Sequence, residues 1–169
     1  PIHNDRGEGE DVIGIGRDVR DSKKAEEALR ESEARYRAVV ESQTELICRF
    51  VPDSVLTFVN DAYCRFFGKD REELIGRSFM PLIPEEDRVE AVRHFAPVSA
   101  ARPVVDHEHR VVASSGEVRW VRWINRGIFD EQGRLVEFQA TGSDVTERKR
   151  AEDALRQSEA NYRAIFNAA

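Results

Sequence analysis

Val59-Asn60-Asp61-Ala62-Tyr63-Cys64-Arg65-Phe66-Phe67-Gly68 carries a strand into a short capped helix and then stops it. Asn60 is a good N-cap, because a side-chain oxygen accepts from the first free helical N–H groups. Gly68 is suited to the left-handed residue that ends a helix. Upstream, Glu45–Phe50 and Val55–Val59 flank the turn sequence Val51-Pro52-Asp53-Ser54, which predicts a hairpin. Downstream, a second short helix fits Asp70–Ile75 before Gly76. Pro84, at a first helical position and followed by Glu85, Glu86 and Asp87, opens a longer helix to about Phe95.

Three longer strands follow at Pro103–Ala113, Glu117–Phe129 and Leu135–Gly142, joined by short polar, Gly-containing turns. The order β-β-α-α-α-β-β-β predicts an α+β fold, one antiparallel sheet with helices gathered on one face. Trp120 and Trp123 are an odd number of residues apart in one strand and therefore point to opposite faces. One faces the helical layer. The other needs cover from a flanking helix or a second subunit.

The ends of the chain repeat. Residues 1–43 align without a gap to residues 127–169, with 17 identities. The densest stretch pairs Ala25-Glu26-Glu27-Ala28-Leu29-Arg30 with Ala151-Glu152-Asp153-Ala154-Leu155-Arg156. A constant offset of this kind marks a tandem array, and with Pro1 in place of a methionine it leads to the expectation of a piece of a longer protein. Residues 21–40 and 146–169 read as helices. Ala25, Leu29, Ser32, Tyr36 and Val39 form a heptad seam, repeated by Ala151, Leu155, Ser158, Tyr162 and Ile165. Two readings of these seams stay open, a weak coiled coil between chains or a helix packed on its own domain.

Composition narrows the function. Charged residues make up 34% and the net charge is −6, which disfavours attraction to nucleic acid or an anionic membrane. No apolar run approaches a membrane span. Cys48 and Cys64 read as two reduced thiols rather than a structural disulfide. No phosphate-binding glycine loop, nucleophile elbow or zinc-ligand spacing is present, so no enzyme activity and no metal site are expected. His107 and His109 share a strand face at a spacing that could hold a metal, but with no third ligand nearby they read as ordinary strand residues.

Together the order and the residues resemble a PAS domain with its C-terminal PAC portion. The matching stretches are Val59–Gly68, Glu72-Glu73-Leu74-Ile75-Gly76-Arg77, Ile83–Arg88, Gly116-Glu117-Val118-Arg119-Trp120-Val121, Phe129–Arg134 and Gly142-Ser143-Asp144-Val145-Thr146-Glu147-Arg148-Lys149. The resemblance implies a five-stranded antiparallel sheet in the order 2-1-5-4-3. It divides the chain into a strand remnant of a preceding PAS domain (1–20), a connecting helix (21–40), a PAS domain (41–145), and an outgoing helix with the start of the next repeat (146–169).

It further implies a signal relay through Asp144 and Thr146, the family's D-x-T, into the helix from Glu147. Asp144 and Glu147 have capping-box spacing, and Thr146 is itself a suitable cap. The expected function is a non-catalytic sensory and relay module of a cytoplasmic signalling protein. A sensor histidine kinase is the first expectation for the parent and a diguanylate cyclase the second. The rivals are a ligand-free dimerisation module and a haem- or flavin-binding sensor. Expected partners are a second copy through the flanking helices, neighbouring PAS domains, and a small-molecule ligand. Phe79 stands where photoactive flavin members need a cysteine, which argues against a cysteinyl-flavin adduct. His94 is the weak candidate for haem, lying about one turn beyond Ala91, which matches the family's ligand position. No cofactor is the first expectation.

Overall fold

The computed structural model describes residues 10–168. They form two units, one ending at Ser42 and one beginning at Gln43. The first is a single helix, α1, Glu10–Glu41. It starts earlier than the sequence suggests. Residues 10–20, expected as a strand, are helical, and residues 1–9 of that expectation lie outside the described residues. The reason is backbone satisfaction. A strand needs a ladder partner, and none of the five paired strands takes up this segment, whereas a helix bonds its own N–H and C=O groups.

The second unit runs β1 (Leu46–Phe50), β2 (Leu56–Val59), α2 (Asp61–Phe67), α3 (Arg71–Leu74), α4 (Arg88–Arg93), β3 (Val104–Val112), β4 (Val118–Phe129), β5 (Leu135–Asp144) and α5 (Thr146–Ala168). The five strands form one antiparallel sheet in the order β2-β1-β5-β4-β3. The expected topology is the observed one.

The opening junction explains how the helical layer is fixed. Asn60 is fully buried, and its Oδ1 accepts from Tyr63 N and from Ile47 N, each at 3.0 Å. Its Nδ2 donates to Glu45 O at 3.0 Å. One side chain thus caps α2 and ties it to the start of β1. Gly68 ends α2 at φ 61°, with Ser114 Cβ 2.6 Å from where a Cβ would stand, so both space and backbone favour glycine. Asp70 and Glu73 form a capping box on α3.

The helix expected from Pro84 to Phe95 is broken. A 3₁₀ turn at Glu85–Asp87 precedes α4, which ends at Arg93. Asp87 is drawn away by Arg110 of β3 (2.7 and 2.5 Å), and Arg88 Nε donates to Met80 O and Ile83 O, each at 3.1 Å. These bonds hold the segment to its neighbours rather than in one continuous cylinder. Phe95, past the helix end, packs edge-on to Phe50 at 5.4 Å.

The core lies between the sheet and this layer, with Leu56, Val59, Ile83, Val111 and Val121 almost fully buried. Trp123 is in it, beside Tyr63. Gly142 on β5 makes room, since a Cβ there would sit 2.6 Å from the Trp123 ring. Trp120 points to the other face, where Lys149 of α5 lies 4.8 Å over its ring. The flanking helix supplies the cover that the strand pattern requires. Cys48 and Cys64 are both free thiols.

Candidate functional site

Two places carry chemistry, one on each face of the β3–β4 half of the sheet. The first is where β5 passes into α5. Asp144 Oδ1 accepts from Thr146 N at 2.9 Å and from Thr146 Oγ1. Thr146 Oγ1 in turn accepts from Trp120 N at 3.0 Å, and Val145 N donates to Trp120 O at 2.8 Å. The backbone of Trp120 is therefore gripped on both its polar groups by the residues that start α5. Arg119 completes the knot at 3.0 Å from Asp144 Oδ2. Burial pushes the Asp144 carboxyl up, but the bonds from Thr146 and the Arg119 guanidinium outweigh it and hold the group below the usual carboxylate range.

The sequence brings Asp144 and Thr146 together as expected, but not Glu147. Its carboxylate pairs with Arg150 at 2.8 Å, and the capping-box arrangement with Asp144 is replaced. Asp144 itself is still a β5 residue, opposite Val121 of β4. Sequence reasoning missed Glu108, Arg119 and Lys149. Glu108 of β3 reaches Lys149 Nζ at 2.7 Å and also Arg148. The hydrogen bond from Lys149 chiefly lowers its carboxyl from the ordinary value. Arg150 adds Glu117 at 3.2 Å.

The second place is a cavity of about 30 Å³ under the sheet. Apolar side chains, among them Phe50, Phe67, Phe79, Phe95 and Ile83, make most of its lining. One wall is polar: His107, His109, Trp123 and Asn125. His107, Trp123 and Asn125 are buried, and the imidazoles stack, His94 on His107 at 4.6 Å and His107 on His109 at 5.1 Å. Burial lowers the His107 pKa from 6.5 to about 3, with His109 and His94 adding to the effect. Burial likewise lowers His109 to about 4, partly opposed by Asp87. Both rings are neutral near pH 7.

Both lie in β3, as the sequence suggested, but their place on its inward face was not read from it. The signal was available: Val105 and Val111 are buried on β3, and period two puts 107 and 109 on their face. On β4, Val121 and Trp123 set the same phase for Asn125.

A haem or flavin does not fit this cavity. Small-molecule pockets run to roughly 300–1,000 Å³, an order of magnitude more than is open here. From α4 the residue buried against the core is Ala91, 1% exposed and without a ligating atom. His94 caps the end of α4, with Nδ1 2.8 Å from Glu90 O. Phe79 packs edge-on to Phe50 at 4.8 Å. Among the described residues no three His, Cys, Asp or Glu side chains are grouped to hold a metal ion.

The seam residues lie on two separate helices. Leu29, Tyr36 and Val39 are exposed on α1. On α5, Leu155, Tyr162 and Ile165 are exposed, and Phe166, which the heptad reading omitted, is the most open of them at 86%. Among the described residues no helix is long and apolar enough to cross a membrane.

A family model described as "PAS fold" matches residues 40–150. The two-component sensor PprA of Pseudomonas aeruginosa is 34% identical over 149 residues, which is 87% of this chain and 16% of that protein. The chain spans about one sixth of the length of the curated relatives it matches. Among solved structures, the PAS domain of an HTR-like protein from Haloarcula marismortui has a TM-score of 0.63 at 22% identity, covering 72% of this chain and 98% of that one. A sensory box histidine kinase/response regulator from Burkholderia thailandensis has a TM-score of 0.61 at 24% identity, covering 77% and 98%. At these identities the structural matches show the fold.

Proposed function

The chain belongs to the PAS-fold family, and from that premise we propose that it is a non-catalytic sensory module that relays a conformational signal through Asp144-Val145-Thr146 into α5. The observation that carries this reading is the grip on Trp120. Its N–H is bonded by Thr146, its C=O by Val145, and its ring lies under Lys149. A shift of β4 relative to β5 cannot leave the first turn of α5 where it was. Two discrete placements of that turn would be a two-state element that an output domain can read.

The parent protein is a cytoplasmic multi-PAS sensor kinase in this reading, supported by the likeness to a two-component sensor. The working unit is a homodimer, favoured by the open apolar seam of α5 and by Phe166 beside it. The test is Asp144→Ala and Thr146→Val in the full-length parent. Altered basal or stimulated output with a retained fold is expected; unchanged regulation in both variants would refute the relay. Light scattering against concentration tests the pairing, which a strict monomer at high concentration would exclude.

A further inference from the structure

β3 is an edge strand. It ends the sheet order, and among the described residues only β4 pairs with it. Two bonds beyond its ends fix which of its backbone groups stay open: Gly127 N donates to Pro103 O at 2.8 Å, and Ala113 N donates to Glu117 O at 2.9 Å. Bonded and non-bonded pairs alternate along an antiparallel ladder, so the odd-numbered residues of β3 turn their N–H and C=O groups toward β4. Those of Val104, Asp106, Glu108, Arg110 and Val112 point away from the sheet. An open edge of this length is a template for another strand.

The residues along this edge are self-complementary. β3 reads Val104-Val105-Asp106-His107-Glu108-His109-Arg110-Val111-Val112, and in the reverse direction the pattern is the same with Asp and Arg exchanged. Laid antiparallel on a second copy about Glu108, Val104 meets Val112, Asp106 meets Arg110, Val105 meets Val111 and His107 meets His109. Opposite charges and β-branched pairs directly across a ladder stabilise it. The two Glu108 carboxylates meet at the centre, but each is already held within its own chain by Lys149 at 2.7 Å and by Arg148. A slip of two residues in either direction sets a valine against a charged residue. Charges on an edge ordinarily keep strands apart; here their order fits the same strand reversed.

We propose that the free edge of β3 is a docking surface for a second copy of this chain, joined antiparallel about Glu108 so that the two five-stranded sheets continue into one. This contact is separate from the apolar seam of α5 and does not depend on it. Every outward N–H and C=O of the strand then has a partner. In the single chain Arg110 is drawn to Asp87, at 2.7 and 2.5 Å, and Asp106 to Arg122. Asp106 of the second copy competes with Asp87 for Arg110, and exposed ion pairs gain little from such an exchange. The pairing is therefore weak and concentration-dependent, with the backbone ladder as its main bond.

Amide hydrogen exchange of the whole chain, read residue by residue by NMR, tests this. Asp106, Glu108 and Val112 donate outward, whereas Val105 and Val111 are already bonded to β4. For a dissociation constant of about 0.1 mM, the outward amides should exchange about threefold more slowly at about 1 mM chain than at about 50 μM, with Val105 and Val111 unchanged. Asp106→Lys and Arg110→Glu each set like charges opposite in a self-pair, and each should abolish the slowing. An equimolar mixture of the two should restore it, because the new lysine of one chain faces the new glutamate of the other. Should Arg110→Glu not fold, Asp106→Pro serves: the Asp106 N–H points away from β4, so its loss spares the ladder and removes only an outward donor. That variant should lose the slowing at Glu108 and Val112.

Outward amides that exchange alike at both concentrations overturn the proposal, whatever light scattering reports of α5. Slowing that persists in Asp106→Lys or Asp106→Pro places the contact elsewhere and overturns it too. So does a mixture of the two charge variants that regains no protection.

Discussion

Mild acid should destabilise this domain through two imidazoles. His107 is 6% exposed, and its pKa falls from 6.5 to about 3 on folding; that of His109 falls to about 4. A folded value below the unfolded one means that the unfolded chain takes up protons first. Well above pH 6.5 neither state is charged at these rings, and their titration does not affect stability. As pH falls below 6.5, stability drops by up to about 1.4 kcal/mol per pH unit for each ring, until pH nears about 4 for His109 and about 3 for His107. At pH 5 the loss from His107 alone is then about 2 kcal/mol. His109, less completely buried, adds a smaller amount of the same sign. Small domains have only about 5–15 kcal/mol in total.

The groups packed around the pair do not mask this window. Asp87, Asp106 and Glu108 have lowered carboxyl pKa values, so their stabilisation is present above the unfolded carboxylate range and is lost only at more acid pH. Urea unfolding at pH 7.5, 6.5, 5.5 and 5.0 measures the slope. His107→Gln shifts the absolute stability but should remove about 2 kcal/mol of the difference between pH 7.5 and 5. A flat profile in the wild type, or an unchanged slope in the variant, would refute the burial argument.

Asn60→Ala should lose about 2–3 kcal/mol in urea unfolding, since it removes a cap and leaves Ile47 N and Glu45 O without their partner. Gly142→Ala should cost about 1–3 kcal/mol and change Trp123 fluorescence, because the added methyl meets the ring; an unaltered spectrum would show that the ring has free space. Thr146→Val should speed hydrogen exchange at the Trp120 amide by about tenfold, corresponding to one lost hydrogen bond of about 1 kcal/mol. Slow exchange there would mean that Val145 alone closes the junction.

Local chemistry made much of the fold legible. Asn60, Gly68 and Asp70 announce their caps by residue type, and the turns give the strands their ends. The sheet order came from the family resemblance, because hydropathy patterns do not state which strands are neighbours. The break after Pro84 was hidden because it depends on Arg110, distant in sequence. The start of α1 was misread because a strand-like sequence is a strand only when a partner pairs with it. At the junction, Asp144 and Thr146 were recognisable as a motif. Glu108, Arg119 and Lys149 were not, since each acquires its meaning across strands. The polar cavity wall was overlooked for a different reason: histidine in an alternating strand looks like a solvent-facing residue until the valines around it fix the phase.

That phase has an evolutionary corollary. In β3, inward and outward roles alternate residue by residue over His107, Glu108 and His109. One residue inserted or deleted upstream in the strand would exchange the roles, sending a carboxylate into the apolar interior and both imidazoles to solvent. Length changes in this strand are therefore constrained by parity: paired insertions preserve the wiring between the two faces, and single ones reverse it.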